Sequence, residues 1–153
     1  MSVDLERGIR IFTFSGSVTP ADLEFVATRY IDREHYRFTD REIVHFAPDV
    51  SLAEIEAEDL GALADRFFEA RRTRDDVLPD ETIWVMPEQV RSEARLWREF
   101  THDPECTQKD RRYVETLEAA VAAYRLPDAW LEDIRQGKGF RHFGEVGTIA
   151  PAG

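Results

Sequence analysis

Residues 43–68, IVHFAPDVSLAEIEAEDLGALADRFF, carry the reading that decides the fold. Ile43, Val44, His45 and Phe46 form a short run of β-branched and aromatic residues, which suits a buried strand. Pro48, Asp49, Val50 and Ser51 supply turn chemistry. Residues 53–59 are acidic, and a helix can begin anywhere among them. From Leu60 the period changes: Leu60, Leu63, Ala64, Phe67 and Phe68 share one face, while Asp65, Arg66, Glu69 and Arg72 point elsewhere. Acids at the front of this helix and Arg71, Arg72 and Arg74 at its back complement the helix dipole, which explains the charge gradient without any functional role. A strand followed directly by an amphipathic helix is the unit of an α/β fold.

The same unit repeats on both sides. Upstream, residues 2–5, a turn containing Gly8, and residues 9–15 read as a leading hairpin. Ile9 and Ile11 alternate with Phe12 and Phe14, so the second strand is apolar on both faces, as a central strand covered by helices would be. Thr19-Pro20 starts a helix, since the hydroxyl can cap free backbone N–H groups and proline at the first position loses no hydrogen bond. Leu23, Val26, Ala27, Tyr30 and Ile31 form its apolar stripe, and residues 32–40 return the chain as a loop.

Downstream, residues 75–80 are a polar linker, residues 82–86 (TIWVM) a buried strand ended by Pro87, and residues 88–101 a helix with Val90, Ala94 and Trp97 inward. Residues 102–109 form a loop, residues 111–114 a last short strand, and residues 116–124 a helix presenting Leu117, Ala120, Val121 and Tyr124. Pro127 interrupts it, and residues 128–134 continue as a helical turn or two that docks through Trp130, Leu131 and Ile134. The expected architecture is a single α/β domain over residues 1–135. Its sheet is mixed and mostly parallel, with four or five strands flanked by about four helices. Residues 136–153 hold five of the eight glycines and read as a tail with little regular structure. Disorder is the first reading of that tail; the alternative is a homodimer contact in which Phe140, Phe143 and Ile149 pack against a neighbouring subunit.

Composition narrows the partners. At 153 residues and 42% hydrophobic the chain is long enough to bury one core, removing roughly two-thirds of its unfolded surface from water. A net charge of −11 repels phosphate backbones and anionic membranes, so no nucleic acid partner is expected. The acidity has a plain explanation in a well-solvated surface. No apolar run reaches the length of a membrane span, and no secretory leader is expected from the opening residues. With Cys106 as its one cysteine, it has no internal disulfide to form. A cytoplasmic location is expected.

Chemistry is thinly marked. His35, His45, His102 and His142 have no metal-ligand spacing, and no metal is expected. His45, within a core strand, reads as a hydrogen-bonded structural histidine before it reads as a general base. Gly8, Gly16 and Gly61 are the only glycines before the tail, and none opens a phosphate loop, so no nucleotide cofactor is expected. Glu54, Glu56, Glu58 and Asp59 could raise one another's pKa and support acid-base catalysis, but a solvated helix start gives the same sequence. No catalytic residue is assigned.

Four pieces, in order, resemble the bacterial SpoIIAA-like family, which is similar to STAS domains and to lipid-binding CRAL-TRIO modules. They are FSGSVTPADL, the stretch that opens this section, IWVMPE with the helix SEARLWREF, and the short strand before LEAAVAAYRLPDAWL. The resemblance implies a mixed sheet of four or five strands and two kinds of role. One is protein binding. In anti-sigma-factor antagonists the matching helix begins with Asp-Ser-Ser-Gly, whose serine is phosphorylated. Here Glu58, Asp59 and Leu60 precede Gly61, so that switch does not carry over, and Ser51 is the nearest substitute. The partner-binding residues expected on this reading are Asp49, Ser51, Glu54, Glu58 and Asp59, in a non-catalytic module that binds constitutively. The alternative role is a carrier of a small apolar molecule or lipid, for which Phe67, Phe68, Trp84, Met86 and Trp97 could line a cavity, although an ordinary core uses the same side chains. An enzyme working through the acidic cluster ranks third.

Overall fold

The computed structural model describes residues 2–4, 9–31, 41–72, 81–91, 110–136 and 141–142. The segments read above as residues 32–40, 75–80 and 102–109, the later part of the helix over 92–101, Cys106, and the tail beyond residue 142 lie outside the described residues.

Six strands form one mixed sheet: β1 (Ser2–Asp4), β2 (Ile9–Phe14), β3 (Arg41–Phe46), β4 (Glu81–Val85), β5 (Asp110–Val114) and β6 (Arg141–His142), in the order β5-β4-β3-β2-β1-β6. The four strands β2 to β5 are parallel, and β1 is antiparallel to both β2 and β6. The α/β class and the leading hairpin therefore hold. Arg141 and His142, inside the stretch expected to lack regular structure, add the sixth strand by pairing with Val3 and Ser2.

Five helices accompany the sheet among the described residues: α1 (Pro20–Ile31), α2 (Ala57–Arg72), α3 (Glu88–Arg91), α4 (Leu117–Ala123) and α5 (Ala129–Gln136). Each of the crossovers β2 to β3, β3 to β4 and β4 to β5 steps in the same direction. Because such connections share one hand, their helices fall on one face. Leu23 and Val26 of α1, Leu60 and Leu63 of α2 and Val90 of α3 accordingly pack on Phe12, Phe14, Val44, Phe46 and Trp84. The opposite face, built on Ile9, Ile11, Ile43, Ile83 and Val85, is covered by Leu117, Ala120, Val121 and Tyr124 of the α4 segment and by Trp130, Leu131 and Ile134 of α5.

An aromatic row crosses the first face. Phe14 stacks on Phe46 (centroids 5.2 Å apart), Phe46 on Trp84 (6.0 Å), and Trp84 meets Tyr113 at 6.5 Å. These separations lie in the favourable range for ring pairs. Trp84 and Met86, weighed above as cavity lining, are core residues of this layer; the side chains of Phe67, Phe68 and Trp97 lie outside the described residues.

The same face contains a buried ion pair. Arg10 and Glu42 are opposite one another in the β2–β3 register, with side chains 1% and 8% exposed. The guanidinium also lies 5.7 Å from the Phe12 ring centroid. From the other face, the Tyr124 hydroxyl donates to the Glu42 carbonyl oxygen (2.8 Å), and Arg41 Nη1 donates to the Tyr124 carbonyl oxygen (2.9 Å). Helix α4 then ends in a reciprocal cap: Leu126 N–H bonds the Val121 carbonyl and Arg125 N–H the Ala122 carbonyl, both at 2.9 Å, with Arg125 in the left-handed region at φ 52°.

Candidate functional site

The carboxyl ends of the parallel strands open onto two loops, residues 15–19 after β2 and residues 47–56 after β3. The β2–β3 pairing does not stop where the strands do. Ala47 N–H bonds the Phe14 carbonyl (2.8 Å), Ser51 N–H the Gly16 carbonyl (2.8 Å), and Val18 N–H the Ser51 carbonyl (2.9 Å), with Ser17 and Ser51 forming a parallel bridge. Gly16 makes the turn possible at φ 63°; a Cβ there would point into open space, so backbone strain and not crowding is what favours glycine.

Side chains lock the second loop from beneath. Val50, Leu52 and Ile55 are buried in the α1–α3 face, while Asp49, Ala53, Glu54 and Glu56 are exposed. Turns at Ala47–Val50 and Leu52–Ile55 (N···O 3.0 Å each) give the chain this in-and-out course. The loop is thus anchored by its apolar residues and presents its acids to solvent.

Each residue singled out from the sequence now has a place. Asp49 is exposed at the first turn and Glu58 in the first turn of α2; neither side chain makes a hydrogen bond among the described residues. Ser51 is half-buried, with its backbone N–H and carbonyl both taken up in the pairing with Gly16 and Val18 and its hydroxyl oxygen accepting weakly from Ala53 N–H at 3.4 Å. Glu54 accepts a hydrogen bond from the Ser17 hydroxyl across the two loops (2.8 Å). Asp59 plays a structural part: its Oδ2 accepts from Glu56 N–H at 2.9 Å, which makes it the returning half of a capping box at the start of α2. Helix α1 repeats the device, with Asp22 Oδ2 accepting from both Thr19 N–H (2.7 Å) and the Thr19 hydroxyl (2.8 Å).

Sequence reasoning missed the bond from Ser17 and the Arg91–Glu115 ion pair (2.7 Å) at the same end of the sheet. Both join residues far apart in the chain, and neither has a local signature. His45 is half-buried on the α4–α5 face, beside Thr13 in the β2–β3 register and Val85 in the β3–β4 register. Burial, together with the nearby Arg135, lowers its pKa below the usual histidine value, against an opposing pull from Glu118. Glu118 in turn pairs with Arg135, and its carboxyl is held below the usual range first by its own backbone N–H and also by Arg135.

Among the described residues no three His, Cys, Asp or Glu side chains are grouped to hold a metal, and no helix is long and apolar enough to cross a membrane. No protein-family model, curated protein or solved structure matches the chain.

Proposed function

We propose that this chain is a non-catalytic binding module of the STAS and SpoIIAA-like kind that engages a protein partner through residues 47–58. The observation that carries the reading is the loop after β3. Its backbone is zipped to the neighbouring loop and its apolar residues are sunk in the core, so Asp49, Glu54, Glu56 and Glu58 stand on a fixed outline. Such a surface suits a partner with a basic face, whose approach the net charge of −11 would also favour. Ser51, fastened by both backbone groups, fits constitutive binding better than a switched loop. A cytoplasmic setting accords with the single cysteine.

The test is a triple charge reversal, Asp49→Lys, Glu54→Lys and Glu58→Lys, in affinity capture against the unaltered protein. Asp59 is left in place because it caps α2. The variant is expected to keep its urea midpoint and lose the captured partner. Retention of the same partner at equal affinity by the folded variant rejects this interface.

A further inference from the structure

We draw no further inference here: the strongest candidate, the apolar stripe Trp130, Leu131 and Ile134 of α5, packs on the second face of the core, and nothing in the structure shows what covers the part it leaves exposed.

Discussion

Arg10 donates from both Nε (3.0 Å) and Nη2 (2.8 Å) to a single oxygen of Glu42, Oε2, on the neighbouring parallel strand. The other oxygen, Oε1, faces the Thr82 hydroxyl at 3.4 Å on the next strand over. A charged pair this deep tends to break even against apolar residues of the same volume, because desolvation offsets the attraction, whereas removing one partner strands the other. Arg10→Met or Glu42→Leu alone should each destabilise the fold by about 3–5 kcal/mol, and the double variant should recover most of that loss. Equilibrium urea unfolding of the three variants checks this; two mild single effects would show that the pair is dispensable.

Asp59 and Glu58 are adjacent acids with different tasks. Asp59 satisfies a free N–H at the start of α2, while Glu58 projects into solvent. Asp59→Ala should cost about 1 kcal/mol of stability, and Glu58→Ala should stay within about 0.5 kcal/mol of the parent. Denaturation midpoints measured side by side distinguish them.

Arg125 occupies a left-handed position normally given to glycine. The conformational penalty for an L-residue there is about 1–2 kcal/mol, and replacement by glycine gives back about 0.4–1 kcal/mol through the freer unfolded chain. The first term is larger, so Arg125→Gly should stabilise by roughly 0.5–1 kcal/mol. A higher melting temperature by calorimetry is the expected sign, and a lower one would mean that the Arg125 side chain makes a compensating contact.

His45 gives the stability curve an acid limb. Its pKa is lowered from 6.5 by burial and Arg135, so the unfolded chain takes up a proton at a pH where the folded chain does not. Stability is then full above the ordinary value of 6.5 and falls as pH drops through the window between that value and the lower folded one. His45→Gln should flatten this part of the curve. Unfolding free energies measured between neutral and mildly acidic pH test it, and an unaltered slope in the variant would assign the limb to other groups.

Much of the architecture was legible because its signals are local. Thr19-Pro20 marked the start of α1, although the Thr19 hydroxyl donates to the Asp22 carboxylate where it was expected to accept from backbone N–H groups. The spacing of Leu117, Ala120, Val121 and Tyr124 gave the inward face of α4 directly. Long-range pairings left no such mark. Arg10 sits in the pattern of an ordinary strand position, and only the register of β2 against β3 brings Glu42 to it. The bridge between Ser17 and Ser51 is made by backbone atoms, which every residue possesses, so no residue type announces it. Arg141 and His142 join the sheet through two backbone pairings in a glycine-rich stretch, too short to produce an alternating pattern. The acids of residues 49–59 were visible as a group, but their division into an anchor at Asp59 and projecting side chains depended on the fold.

The extension of the β2–β3 ladder to Ser17 and Ser51 bears on kinetics as well as shape. A loop fastened in this way opens only when core strands separate, so its amides should exchange with solvent at rates set by the sheet and not by the turn. On the proposed function, a partner arriving there would find the contact geometry already present in the free protein. Little conformational entropy is then lost on docking, and association need not wait for a rearrangement. Selectivity in the proposed binding would then reside in how well a partner's charges match a template that does not adapt to them.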